Sequence, residues 1–159
     1  MTGQDPRLAT QFEEAEQSPG LLLWQVTNRW QAAQRATLKP FDLTHVQFVL
    51  LASLTWLQAD GPVTQRHLAD HAGTDPMMTS QVLRALESRE LVYRLPHPQD
   101  RRARALAVTE AGRDLANRSV GAVEACDTAF FAALGDQNAA FVRALQTLKF
   151  AGSRPGAAG

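Results

Sequence analysis

The spacing of apolar positions divides the chain into helical segments with one short interruption of a different period. From Leu21 to Leu38, the residues Leu23, Val26, Trp30, Ala33 and Thr37 recur at three- and four-residue steps, the repeat of a helix with one buried stripe. Pro40 closes this segment, because proline lacks an amide donor and steers the residue before it away from helix. Thr44-His45-Val46-Gln47 has the spacing of a capping box. The helix it opens, through about Gln58, is apolar around most of its circumference (Val46, Phe48, Val49, Leu50, Leu51, Leu54, Trp56, Leu57), which places it at the centre of the core. Asp60-Gly61-Pro62 marks a turn. Thr64 caps a short helix around Leu68 and Ala69, and Gly73 suits the left-handed position after it. Asp75 and Pro76 then supply the N-cap and first residue of a third helix, reaching about Arg89 with Val82, Leu83 and Leu86 inward.

At Leu91 the helical repeat gives way to strand composition. Leu91–Leu95 predicts a strand, 96–102 a loop, and Ala105–Thr109 the returning strand, apolar at 106 and 108. Thr109-Glu110 opens a long helix to about Leu134, with Leu115, Val120, Val123, Asp127 and Phe130 on or near one stripe. Gly135 breaks it, and Asp136 is expected to cap a last helix holding Phe141, Val142, Leu145 and Leu148. Residues 1–19 read as a flexible N-terminal segment and 151–159 as a disordered tail. A short helix, a glycine turn, a longer helix and a two-stranded hairpin together make a winged helix-turn-helix over residues 44–109. The expected fold class is therefore mainly α with a small β-hairpin wing. The flanking helices, 20–43 and 110–150, carry Leu21, Leu22, Trp24, Phe130, Phe131, Phe141, Leu145 and Leu148, more apolar surface than one small domain needs. A second copy of the chain is the simplest cover, so they are expected to be dimerisation helices of a two-fold homodimer.

Charge changes the picture through its distribution. The 159 residues hold 16 Lys/Arg and 16 Asp/Glu, a net charge of zero that by itself disfavours a nucleic-acid partner. Residues 61–113, however, carry an excess of +2, all their cations are arginine, and Arg94, Arg101, Arg102 and Arg104 face the single acid Asp100. A local arginine cluster at a hairpin tip is what phosphate contact requires, whatever the total. A solvated charged loop is the other reading of such a cluster taken alone. Cys126 is the one cysteine, which excludes an internal disulfide and a cysteine-rich zinc site. The first twenty residues lack an apolar core, and the apolar run from Val46 to Leu57 is too short to span a bilayer, so a cytoplasmic protein without a membrane partner is expected.

The wing and the residues just after it, His97-Pro98-Gln99-Asp100-Arg101-Arg102-Ala103-Arg104-Ala105-Leu106-Ala107-Val108-Thr109-Glu110-Ala111-Gly112-Arg113, resemble the MarR family of transcriptional regulators. That family has an Asp-x-Arg wing tip, then a strand ending in Leu/Val-Thr, then x-x-Gly. The resemblance extends over about residues 20–150. It implies a triangular dimer of winged-helix subunits that binds double-stranded DNA at pseudo-palindromic operators, mostly as a repressor, with many members released by a small phenolic or aromatic anion. It also implies that Asp100 holds Arg102 by an ion pair. One position departs from the pattern. Where the family usually has glycine between the recognition helix and the first strand, this chain has Glu90. If the backbone there is left-handed, Glu90 costs on the order of 1 kcal/mol relative to glycine.

The DNA-reading side of the third helix is the one opposite Val82, Leu83 and Leu86, and it offers Met77, Met78, Ser80, Gln81, Arg84 and Ser88. Gln81 can pair with adenine, Arg84 can reach guanine or phosphate, and the methionines can pack on thymine methyls, unless Met78 turns into the core. Thr64, Gln65 and Arg66 are placed for phosphate contact, Arg102 for the minor groove, and Arg101 and Arg104 for phosphates. An effector pocket, where present, is expected where the outer helices meet the winged helix, with Trp24, Asn28, His45 and Phe48 as candidates for its walls, although plain core packing is the favoured reading of each. His67 and His71 have the i, i+4 spacing of a metal pair, but spacing fixes no third ligand, so no metal or cofactor is expected; Cys126 reads as a buried structural thiol. The chain shows no Gly-rich phosphate loop, paired carboxylate motif or nucleophile elbow, which argues against an enzyme. The remaining alternative is a winged helix that binds protein without DNA, and such a module has no need of an arginine tip.

Overall fold

The computed structural model describes residues 8–152, so the expectations for residues 1–7 and 153–159 lie outside the described residues. Six helices and a two-stranded antiparallel sheet run in the order α1 (Pro19–Leu38), α2 (His45–Leu57), α3 (Gln65–Ala72), α4 (Pro76–Ser88), β1 (Val92–Pro96), β2 (Arg104–Val108), α5 (Glu110–Phe131) and α6 (Asn138–Ala151). A 3-10 turn at Ala15–Gln17 precedes α1, so the polar leader is not irregular up to residue 19. The last helix includes Ala151, which the sequence pattern placed in the tail.

Side chains written into the chain fix most helix starts. Thr44 and Gln47 form the reciprocal capping box of α2. Thr64 accepts from the His67 amide at α3, Asp75 from Met78 at α4, and Thr109 from Gly112 at α5. Each such cap satisfies one amide that has no partner inside its helix. Gly73, at φ 71°, lets the chain turn sharply between α3 and α4. Asp136 does not cap α6. The chain runs from α5 through a 3-10 stretch over 132–137, kinked at Gly135, and α6 starts from Gln137 without a side-chain cap.

The core gathers around α2, where Leu50, Leu51 and Leu54 are fully buried with Leu38, Leu68, Leu83, Leu86, Leu106 and Val63. Fully burying a leucine is worth about 1.5–3 kcal/mol, so this cluster is the main source of stability in the lobe. Trp56 departs from its expected place, standing 74% exposed on the outer side of α2. In α1 the buried positions are Gln34 and Leu38, whereas Leu23 and Val26 of the expected stripe are exposed, because within one chain only the C-terminal half of α1 meets the lobe. Cys126 is half-buried rather than buried.

Both strands lie within one residue of their expected spans, registered from Val92 opposite Val108 to Pro96 opposite Arg104. The pattern did not reveal a bridge from Val63 to Leu106, whose amide donates to the Val63 carbonyl at 2.8 Å and ties the sheet to the turn before α3. Where α4 gives way to β1, Glu90 is left-handed at φ 57°. Its carbonyl accepts from the Thr109 hydroxyl (2.7 Å), and the Thr109 amide donates to Leu91 (3.0 Å). Gly112 then passes so close that a Cβ there would lie 2.1 Å from the Leu91 carbonyl oxygen. The Thr-x-x-Gly spacing is thus a backbone crossing that only glycine allows.

A polar cluster ties the outer helices to this lobe. Asp127 of α5 accepts from the Trp30 indole (2.8 Å) and the Gln34 amide (2.6 Å) of α1, and His45 bonds through Nδ1 to Gln31 (2.8 Å) with its ring against the edge of Trp30. Burial holds the His45 pKa below its ordinary value, with Arg35 acting in the same direction and the Asp127 carboxylate opposing them. The unfolded chain therefore binds the extra proton first, and the His45 contribution to stability, complete above about pH 6.5, is lost as pH falls through the folded value.

The crossing and the polar cluster each set an expected outcome. Gly112→Ala should lower the free energy of unfolding in urea by at least ~2 kcal/mol through the clash at Leu91. Glu90→Gly should raise it by about 1 kcal/mol. In His45→Gln the loss of stability between about pH 7.5 and about pH 5 should be smaller than in the parent, and an equal loss would remove His45 from the pH response.

Candidate nucleic-acid interface

Helix α4 turns Thr79, Leu83 and Leu86 into the core and half-buries Val82 and Ser80. The opposite side presents Met77, Met78, Gln81, Arg84 and Ser88 to solvent. Met77 is 72% and Met78 43% exposed, which decides Met78 for the outer face; the threonine between Met78 and Ser80 fills the inward position instead. Thr79 is held there by hydrogen bonds to Thr74 and to the Asp75 carbonyl, so the start of α4 is fixed in rotation. Arg84 lies along its own helix, with only long contacts of 3.4 Å to Ser80. Its head can therefore leave the helix surface at little cost.

The start of α3 borders the start of α4 across an open cleft lined by Gln65, Arg66, Ala69, Asp70, Thr74 and Pro76. Arg66 is exposed there. The Thr64 hydroxyl oxygen accepts from the His67 amide in the α3 cap, which leaves its proton and the amides of Gln65 and Arg66 for an incoming phosphate. Gln65 is not wholly available, because its Oε1 accepts from Arg94 at 3.1 Å.

The wing tip is ordered by its own polar atoms. His97 Nδ1 accepts from the amides of Gln99 and Asp100, each at 3.2 Å, and the Asp100 carboxylate accepts from the Arg102 amide at 2.9 Å. The Ala103 amide closes the turn onto the Asp100 carbonyl (3.2 Å). Asp100 therefore shapes the turn through the Arg102 backbone; the side-chain ion pair implied for these two residues is not formed among the described residues. Holding the amide leaves the Arg102 guanidinium unspent. Arg101, Arg102 and Arg104 are all exposed, and none pairs with an acid among the described residues. Arg94, close to them in sequence, belongs to another structure: it pairs with Glu87 on the last turn of α4. The Glu87–Arg94 pair was not legible in the spacing, since it depends on which strand face meets which helix; the His97 turn is local, but the spacing does not mark its imidazole as an acceptor for backbone amides.

Of the four expected effector residues, His45 lines a cavity on the inner side of α1. That cavity, about 690 Å³ and open to solvent, lies between α1 and the start of α2, among Gln31, Arg35, Lys39, Leu43, Val46 and Arg89 as well as His45. Phe48 is buried in the core, and Trp24 (67% exposed) and Asn28 stand on the outer surface of α1. Arg89, at the end of α4, reaches over this cavity to donate to the Asp42 carbonyl (2.6 Å). His67 and His71 are exposed on α3, and no group of three metal-binding side chains comes together among the described residues. No helix of the described residues is long and apolar enough to cross a membrane.

The profile of the MarR family matches residues 43–103, from the start of α2 through the wing tip. The chain is 45% identical, over 78% of its length and 85% of the relative's, to the uncharacterized HTH-type transcriptional regulator YdcH of Bacillus subtilis. Among solved structures it is similar to CouR of Rhodococcus jostii RHA1 bound to p-coumaroyl-CoA, at 30% identity and TM-score 0.78 over 90% of this chain and 99% of that one. CouR on a 23-mer DNA duplex aligns at 26% identity and TM-score 0.75, over 89% and 99% of the two chains. The MarR family protein Rv2887 of Mycobacterium tuberculosis, in complex with salicylic acid, aligns at 31% identity and TM-score 0.64 over 86% and 98%. The helix-turn-helix, the arginine-tipped wing and the long flanking helices of this chain are those of a DNA-binding transcription regulator rather than of an enzyme, and the chain belongs to the MarR family.

Proposed function

We propose that the chain acts as a two-fold dimer that represses transcription from a pseudo-palindromic operator and leaves it when a small aromatic anion binds. The observation that carries this reading is the set of exposed arginines without an acid partner among the described residues, Arg101, Arg102 and Arg104, on a turn held by its own hydrogen bonds. Their charge is available at little ordering cost, and it stands on the same lobe as the exposed face of α4. Met77, Met78, Ser80, Gln81 and Arg84 then read base edges in the major groove. Thr64 and Arg66, with the amide end of Gln65, meet phosphates. Arg102 enters the minor groove, Arg101 and Arg104 meet the flanking phosphates, and Asp100 keeps the turn that aims them.

Dimerisation is supported by apolar surface that one chain leaves open. Leu21, Leu22, Leu23, Trp24 and Val26 on α1 are exposed, as are Val142, Leu145, Leu148 and Phe150 on α6, and α6 buries none of its residues within its own chain. Covering both helices with the same helices of a second copy removes the patch from water, which assigns residues 20–43 and 110–150 to pairing and 44–109 to DNA. The cavity beside His45 suits an aromatic acid: Leu43 and Val46 give it apolar wall, and Arg35, Lys39 and Arg89 give it cations. Salicylic acid, the ligand named for Rv2887, is of this chemistry, and p-coumaroyl-CoA, named for CouR, joins a phenol to an anionic thioester carrier. An anion that draws Arg89 from Asp42 acts directly on the end of α4.

Selecting duplexes from a random pool with the purified chain, then titrating the winning duplex over a salt series, tests the reading. Arg102→Ala should weaken binding and reduce the slope of log K against log salt by about 0.9 for each phosphate it no longer neutralises, with the protein still a dimer. Equal affinity of mutant and parent at every salt concentration would remove the wing from the mechanism. A parent that shifts no duplex at all would instead favour a winged helix that docks on protein.

A further inference from the structure

Arg94 is the arginine of the cluster that does not point to solvent, and its contacts assign it a different task. It sits in the middle of β1, opposite Leu106, with its side chain and that of Glu87 each 27% exposed. Its Nε donates to the Glu87 carboxylate at 2.5 Å, and its Nη1 donates to the Gln65 side-chain Oε1 at 3.1 Å. Glu87 lies on the last turn of α4 and Gln65 on the first turn of α3. One guanidinium thus joins the strand that carries the wing, the helix that faces the major groove and the helix whose start faces phosphate. Two-pronged bonding of this kind needs the planar fork of arginine, since a lysine ammonium cannot hold both partners in one fixed geometry.

We propose that Arg94 is a positioning residue for operator recognition, which fixes the wing relative to α3 and α4 through Glu87 and Gln65 and does not itself bind phosphate. The proposal rests on the DNA-binding reading above and adds to it a determinant of specificity. Two facts separate the brace from an ordinary surface ion pair. The pair is largely shielded from solvent on both sides, so water and salt screen it less than an exposed one. And two of the three elements it joins are short, α3 with 8 residues and β1 with 5, so beside the Val63–Leu106 bridge and the crossing at Gly112 the brace is a third restraint on the angle at which the wing leaves the lobe, and the one that reaches α3 and α4 together. Reading a major and a minor groove together requires that angle to be set before binding, because a wing free to swing must be ordered at the expense of affinity. Non-specific binding, which needs only charge near phosphate, does not depend on the angle.

The test uses the full-length protein, the duplex selected from the random pool and a scrambled duplex of equal length. Arg94→Gln should weaken the selected duplex about tenfold or more, leave the scrambled duplex within about twofold, and leave the salt slope unchanged. Glu87→Ala, which keeps the guanidinium and removes its anchor, should reproduce the loss of discrimination. The double variant should lose little more than either single one, and Arg94→Lys should recover part of the loss. Thermal melting of each variant confirms that the protein is folded at the assay temperature. Arg94 is a phosphate contact, and the proposal is overturned, if Arg94→Gln lowers the salt slope by about 0.9 and weakens both duplexes alike while Glu87→Ala binds as tightly as the parent. It is also overturned if folded Arg94→Gln discriminates as the parent does. A parent that binds no duplex fails the DNA-binding reading itself, which the parent titration reports separately.

Discussion

The geometry of the molecule turns on the point where Gly112 passes over the Leu91 carbonyl. At that crossing the recognition helix has just ended, the wing is leaving and returning, and the long fifth helix is beginning. Thr109 holds the place by capping α5 with its oxygen and donating its proton to Glu90, while its amide bonds to Leu91. No side chain fits at Gly112, and the backbone before it must be left-handed at Glu90. A shift here would move the wing against α4 and both against the outer helices at once. The strain at Glu90 is small beside the burial of Leu83, Leu86, Leu91 and Leu106 around it, so the fold tolerates glutamate where glycine would be easier.

From that crossing outward, polar contacts replace apolar ones as the means of placing parts. The lobe's core is leucine and valine around α2, but the elements proposed to face DNA are aimed by hydrogen bonds: Thr79 on Asp75 and Thr74, Arg94 on Glu87 and Gln65, His97 and Asp100 on the amides of the tip. Apolar contact is poor at fixing direction, whereas a hydrogen bond fails beyond a few tenths of an ångström and a few tens of degrees. The same division holds on the other side, where α1 is joined to α5 through Trp30, Gln34 and Asp127 while its apolar N-terminal half stays uncovered. The lobe is complete in one chain. The outer helices leave apolar side chains of α1 and α6 open to solvent.

Much of this was legible in the residues because it is local. Caps at Thr44, Thr64, Asp75 and Thr109, the turn at Gly73 and the change of repeat at Leu91 each depend on neighbours within a few positions, and they fell within a residue or two of their expected places. Most of the features that escaped the pattern are long-range. Spacing alone could not show that Leu23 and Val26 project beyond the lobe, that Trp56 faces outward, or that α6 begins without the Asp136 cap. Nor could it sort four arginines within eleven positions into one structural brace and three exposed charges, because only the pleat of β1 against α4 decides that. Nor could it show that the cavity beside His45 is lined by Gln31, Arg35 and Lys39 rather than by Trp24, Asn28 or Phe48, since that depends on how α1 lies against the start of α2.

At the centre of the proposed function, two such lobes related by a two-fold axis read successive turns of one duplex. Hydroxyl-radical and methylation footprinting of the selected duplex, run beside sedimentation of the complex, measures this directly. The expected result is two protein chains per duplex, two major-groove patches centred about one helical turn or a whole multiple of it apart, and minor-groove protection on the outer side of each. One chain per duplex, or a single patch without flanking minor-groove protection, would contradict it.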